Sequence, residues 1–178
     1  PVYYKLLVTV PPLELLSHRT IWSFIFFFGV LGFYGRVKEL WSAIFNLKGQ
    51  LPIILLASVL IAINWFFFIY AIQTNQTTEA SLGYFMMPLV TVVWSLIIFR
   101  EKLSVFQWMS VLFAAVAVCI LTFGLGVPPW IALLLSFSFS IYAVLKKKLK
   151  ISPIVSVTGE VLVLVPIGFL LLLYFHMD

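Results

Sequence analysis

Apolar residues in this chain run in long unbroken blocks, with polar residues confined to short intervals between them. The stretches 51–72, 80–99, 103–123 and 125–145 carry no charge, and each exceeds the roughly eighteen residues a helix needs to cross a hydrocarbon layer about 30 Å thick. Backbone polar groups in lipid must pair within their own segment, which selects helices. The short alternating segments of a β-barrel are not seen. Six spans are expected, at 13–34, 51–72, 80–99, 104–123, 128–145 and 153–175. Residues 1–8 read as the last turns of a helix whose beginning is missing. Pro11 and Pro12 end it and open the next, because proline is tolerated in a helix's first turn and not in its interior. The chain opens at Pro1 without an initiator Met and shows no signal-peptide layout, so it reads as a fragment. The expected fold is an all-α polytopic membrane protein with six full transmembrane helices plus the end of a truncated one.

Several helix ends carry recognisable signals. Ser104 and Gln107 form a capping box for the span at 104–123. Ser152 offers an N-cap before a first-turn Pro153. Gly124 and Gly126 stop one span, and Pro128 and Pro129 start the next. Between the first two spans, Val37, Leu40, Trp41, Ile44 and Phe45 recur at helical spacing while Lys38, Glu39, Ser42 and Asn46 face away. That pattern predicts a short helix lying in the membrane surface.

Charge then gives an orientation. Only 10% of residues are charged and 63% are hydrophobic, whereas a soluble domain carries roughly a quarter charged residues. The net charge of +5 does not indicate nucleic acid, because the basic residues sit in short loops where they meet headgroups. Arg36, Lys38 and Lys48 fall in one connection, Arg100 and Lys102 in another, and Lys146, Lys147, Lys148 and Lys150 in a third. The intervening connections, 73–79 and 124–127, hold no Lys or Arg. Basic loops stay in the cytoplasm, so the 146–150 loop is expected there and residue 13 outside. Lys5 and Arg19 are the exceptions. The single Cys119 falls within an apolar span and is expected to be buried packing. Trp41, Trp108 and Trp130 fall near span ends, as belt residues do.

A thin internal repeat accompanies this pattern. Displaced by 142 positions, Lys5 meets Lys147, Pro11 meets Pro153 and His18 meets Glu160. The displacement covers an odd number of spans, so the second copy would enter from the opposite side. Inverted repeats of this kind place a transport site near the midplane.

Ionisable groups inside a span cost several kcal/mol, so each requires a reason. Glu14 and His18 share a helical face, with Arg19 adjacent. Arg19 either snorkels or pairs with Glu14, or joins Lys5 and His18 at the outer end of a polar cavity, binding an anionic group or relaying protons. Glu160 sits about 10 Å deep in the last span, with no cation on its own helix turn, and is expected to face a cavity or a neighbouring helix. Ser81, Tyr84, Pro88, Thr91 and Ser95 form one stripe in the 80–99 span, read as a helix–helix contact or as a cavity lining with a proline hinge. Asn64, next to Trp65, invites an interhelical hydrogen bond, and Ser136 with Ser140 does the same. Glu79 reads as a cap at a helix start, and the lysines at 146–150 as a topology anchor. Protease, hydrolase, P-loop and metal-ligand motifs are absent from the sequence. No metal or cofactor is expected. Any energy would come from a gradient, since the loops are too short for a nucleotide-binding domain.

Glu79, Ala80, Ser81, Leu82, Gly83, Tyr84 and Phe85, then Pro88 and Leu89, then Phe99 through Leu103 with Gln107 and Trp108, resemble the EamA family of the drug/metabolite transporter superfamily. Ser17, His18, Arg19, Asn64 and Trp65 narrow the resemblance to its RarD-type members, which carry a chloramphenicol-sensitivity label. The resemblance covers essentially the whole chain. It implies ten spans in two inverted five-helix halves, of which 1–123 would be the first repeat and 127–178 the first two helices of the second. It further implies secondary transport of a small metabolite or drug in the bacterial inner membrane. The implied partners are the bilayer, a small-molecule substrate, a coupling ion and, in a homodimer, a second copy. The competing reading is a membrane-embedded enzyme acting on lipid or isoprenoid substrates, which requires carboxylates or histidines clustered at one membrane face. The candidate substrate-path or ion-coupling residues are Lys5, Glu14, His18, Arg19, Asn64, Trp65, Tyr84, Pro88 and Glu160.

Overall fold

A computed structural model describes residues 2–45, 50–100, 102–125 and 129–177. In order along the chain stand α1 (Val2–Leu6), α2 (Pro12–Phe33), α3 (Val37–Phe45), α4 (Leu51–Gln73), α5 (Thr77–Phe99), α6 (Val105–Leu125), α7 (Trp130–Lys148) and α8 (Pro153–Met177). All but α1 and α3 are long and apolar enough to cross a membrane, so the six expected spans are present and the protein is an all-α multi-pass membrane protein. Asn46, Lys48, Glu101, Gly126 and Pro128 lie outside the described residues.

Local chemistry sets the ends. The α2 terminus closes with Arg36 N–H on Leu31 O and Gly35 N–H on Gly32 O, with Gly35 at φ 68°. This pairing satisfies the last carbonyls and needs a left-handed residue at the turn. Asn75, at φ 61°, does the same for α4, where Gln76 N–H reaches Ala71 O. The Ser104–Gln107 capping box forms as expected, with Ser104 N–H on Gln107 Oε1 at 2.8 Å and Gln107 N–H on Ser104 Oγ at 3.4 Å. The expected cap at Ser152 does not form. Its hydroxyl is buried without a partner, and Pro153, having no N–H, leaves the first turn with one donor fewer. Glu79 does sit in the first turn of α5, but as a buried side chain whose Oε2 has no hydrogen bond; it is not a surface cap. Inside the spans, hydroxyls are folded back onto their own helices. Ser17, Thr20, Ser58 and Thr158 each donate to the carbonyl four residues earlier, which removes a bare polar group from an apolar setting.

The helices pair by their small and apolar faces. The most extensive contacts are α5 on α7 and α2 on α8, and α4 packs against both pairs. At one end, Leu31, Leu40, Ala43, Ile54 and Val155 form a buried cluster with Leu149 against it. At the other, Ala71, Ala80, Ile131 and Leu135 do so. The α3 helix forms as expected, but its buried side is Leu40 and Ala43; Trp41 and Phe45 stack on each other and face outward. Arg36, just ahead of α3, holds Glu39 through two hydrogen bonds of 2.8 and 2.7 Å. The Arg36 guanidinium keeps that carboxyl below the usual carboxylate range, and its surface position makes the pair a minor stabiliser. None of the described side chains of α6 is buried, and this helix packs on α5 alone. Cys119, expected to be buried, is therefore exposed, because no helix covers that face among the described residues. Lys147 Nζ stands 4.4 Å above the Phe99 ring. That contact and the Leu149 cluster gather the three basic connections at one end of the bundle.

Candidate functional site

The candidate site is a cavity of about 400 Å³ walled by α2, α4, α7 and α8. One α2 face supplies Arg19, Ser23 and Phe27 at four-residue intervals, the spacing that aligns side chains along a helix. Trp65 comes from α4, Phe139 and Tyr142 from α7, and Glu160 from α8. Ile61, Val157 and Val161 complete the wall, which thus combines four aromatic rings with aliphatic side chains, and the packed neighbours α2 and α8 contribute the charged groups Arg19 and Glu160.

Arg19 forms no ion pair with Glu14. Its guanidinium lies 4.0 Å from the centre of the Trp65 ring, a cation–π contact, and donates to Tyr4 Oη at 3.2 Å. Tyr4 in turn meets Phe68 edge-on, and Phe68 meets Tyr84 likewise. Glu160 is only 2% exposed and both its carboxylate oxygens accept hydrogen bonds. Oε1 accepts from Lys146 Nζ at 2.7 Å and from Ser156 Oγ at 2.6 Å, and Oε2 accepts from Tyr142 Oη at 2.9 Å. Lys146 Nζ also donates to Ser156 Oγ. Lys146 is therefore more than a topology anchor: it reaches back into the bundle from the last turn of α7.

Of the sequence candidates, the fold brings Arg19, Trp65 and Glu160 onto one cavity and leaves others apart. Lys5 is exposed on α1, and Glu14 is half-buried and in no ion pair among the described residues. His18 is exposed; it is absent from that cavity but shares a neighbouring pocket of about 300 Å³ with Arg19, Tyr3 and Tyr4, and it also lines an apolar groove with His176. Tyr84 is half-exposed beside Phe68. Pro88 lies inside α5, where Thr91 donates to Met87 O and Ser140 of α7 donates to the same carbonyl. Thr91 and Ser140 also meet each other at 2.9 Å, so this part of the stripe is a helix–helix contact. Ser136 instead bonds Leu133 O within its own helix. Asn64 is buried and donates to Leu135 O and Ser138 Oγ across the α4–α7 interface. Replacing Asn64 with alanine should lower unfolding free energy by about 1 kcal/mol, the usual worth of such a bond in a helical membrane protein. Steric trapping or detergent unfolding of the full-length protein would measure it.

Tyr142, Lys146 and Ser156 were missed by sequence reading. A signal did exist. α7 and α8 are joined by the short connection 149–152, and residues equally far from such a turn stand side by side on antiparallel helices. Tyr142 and Glu160 are nearly equidistant from it.

These features define a multi-pass membrane protein with a charged, aromatic-walled cavity inside its helical bundle. Residues 1–123 match the EamA-like transporter family, and the chain belongs to that family. It is 42% identical to an uncharacterized transporter, YojE, of Bacillus subtilis, over 96% of this chain and 59% of that protein. It is 36% identical to the protein RarD of Streptomyces exfoliatus, over 96% of this chain and 55% of the relative. The RarD protein of Escherichia coli is also 36% identical, over 94% and 56% respectively. The chain thus spans a little over half the length of these relatives. No solved structure matches it.

Proposed function

We propose that this chain supplies the first repeat, 1–123, and the first two helices of a second, 127–178, of a secondary-active transporter in the bacterial inner membrane. It moves a small metabolite or drug without ATP, by alternating access between inverted halves and coupled to an ion gradient. The basic 146–150 loop faces the cytoplasm. The observation that carries this reading is the cavity between α2, α4, α7 and α8, with Arg19 on one wall and Glu160 on another. An ionisable group inside a span is costly unless it is paired or serves a polar pathway; Glu160 is paired with Lys146, whereas Arg19 has no carboxylate partner among the described residues. Membership of the EamA-like transporter family and the similarity to a Bacillus subtilis transporter support the same reading.

A thermal-shift screen of the full-length protein against amino acids, amines and drugs, followed by flux of each hit into proteoliposomes, tests it. Arg19→Ala is expected to reduce flux at least about ten-fold, and Arg19→Lys by much less, because a retained charge keeps most of the Coulomb attraction. Equal, wild-type flux in both would confine Arg19 to packing on Trp65. Orientation is checked separately. Single cysteines at Thr77 and Lys148, in a Cys119→Ser background, should react with impermeant reagent from opposite sides of the membrane.

A further inference from the structure

The two charged cavity walls are not equivalent. Glu160 has its charge cancelled at 2.7 Å by Lys146 and both oxygens hydrogen-bonded, so it has little left to offer a ligand. Arg19 has no carboxylate within ion-pair distance among the described residues. Of its five N–H donors, one is directed at the Tyr4 hydroxyl, and its flat face rests on Trp65. The groups facing the cavity therefore carry one uncompensated positive charge: Arg19 from α2, balanced by nothing from α4, and Glu160 of α8 neutralised by Lys146 of α7. A cation half-buried in an apolar bundle is completed by an anion. The guanidinium fork suits a carboxylate, which it can hold with two parallel hydrogen bonds. Apart from the Ser23 and Tyr142 hydroxyls the remaining wall is apolar, with the rings of Phe27, Phe139 and Tyr142 within the same space.

We propose that this cavity takes a small organic carboxylate, its anionic group held by Arg19 and its apolar body laid along Phe27, Phe139 and Tyr142. The Lys146–Glu160 pair masks a negative charge that would otherwise repel it. The proposal rests on the cavity being the substrate site. A volume of about 400 Å³ falls in the range of small-molecule sites.

The test uses three probes that share one body: 3-phenylpropanoate, 3-phenylpropanol and 3-phenylpropylamine. Each is titrated calorimetrically into the full-length protein in nanodiscs at low salt. The carboxylate should bind roughly ten-fold or more tightly than the alcohol, the margin of a charge-assisted pair over a neutral contact, and the amine most weakly. Arg19→Gln should abolish the carboxylate's advantage, with alcohol binding reporting that the cavity persists, and Arg19→Lys should keep part of it. Glu160→Gln should leave carboxylate binding unchanged or tighter, since it removes the only negative charge on the wall. Tightest binding by the amine, or a carboxylate advantage that survives Arg19→Gln, would overturn the charge assignment while leaving the cavity as a binding site. Absence of binding by all three would overturn both the assignment and the substrate-site reading beneath it.

Discussion

Truncating Lys146 to alanine is expected to cost about 3–5 kcal/mol of unfolding free energy, the penalty for leaving a buried charge without its partner. The lysine side chain is 20% exposed and the glutamate 3%, so water offers Glu160 almost no compensation. Ser156 and Tyr142 would still donate to the carboxylate, which places the effect toward the lower end of that interval. The pair also ties the last turn of α7 to α8 on the side of the short 149–152 connection. The double replacement Lys146→Met with Glu160→Gln should recover most of the loss, because it removes both charges and keeps the volumes. Unfolding in mixed detergent, followed by circular dichroism on the full-length protein, gives the measurement. A Lys146→Ala protein as stable as wild type would mean that the pair is solvated and contributes little.

Gly83→Val is expected to separate α5 from α7. A Cβ at Gly83 would stand 3.0 Å from Ala132 O, 3.1 Å from Ala132 Cα and 3.1 Å from Leu135 Cβ. Two of those atoms are backbone and cannot rotate aside, so the helices must move apart by a few tenths of an ångström even for alanine. Overpacking of this kind costs about 1–3 kcal/mol, and valine's two methyl groups place it at or beyond the upper end. Separation would also stretch the Thr91–Ser140 contact one helical stretch below. Gly29→Ala is the control: a Cβ there meets nothing within 4 Å, and alanine's better helix propensity should leave stability equal or slightly higher. A Gly83→Val protein melting with wild type would show that α5 and α7 do not pack this closely in the membrane.

The spans were legible because lipid imposes one local solution. A run of about twenty apolar residues must satisfy its own backbone, so helix count and length follow from composition along the chain. The Ser104–Gln107 cap and the α3 helix followed from spacing for the same reason, since each is a contact among neighbours in sequence. The expectations that failed concern the surroundings of a residue. Cys119 sits in an apolar span, yet exposure depends on which helix covers it. Ser152 has the right residue type for a cap, but its hydroxyl points where no donor waits. The spacing in α3 marked one apolar face without dividing it, and the fold buries Leu40 with Ala43 near Val155 and Ile54 while Trp41 and Phe45 face outward.

The same division runs through the candidate site. Sequence alone determined that this is a bundle of membrane helices, that Arg19 and Glu160 are costly intruders within it, and that the basic connections alternate with neutral ones. Each of those follows from the price lipid sets on a polar group at a given depth, a quantity readable one residue at a time. Only the tertiary structure decided that Arg19 turns to Trp65 rather than Glu14, that Glu160 is already paired with Lys146, and that Lys5, His18 and Tyr84 lie off that cavity, His18 meeting Arg19 in a neighbouring pocket instead. Those outcomes depend on how helices far apart in sequence are rotated against one another, which is fixed by close packing at points such as Gly83 against Ala132 and Ser17 against Gly168.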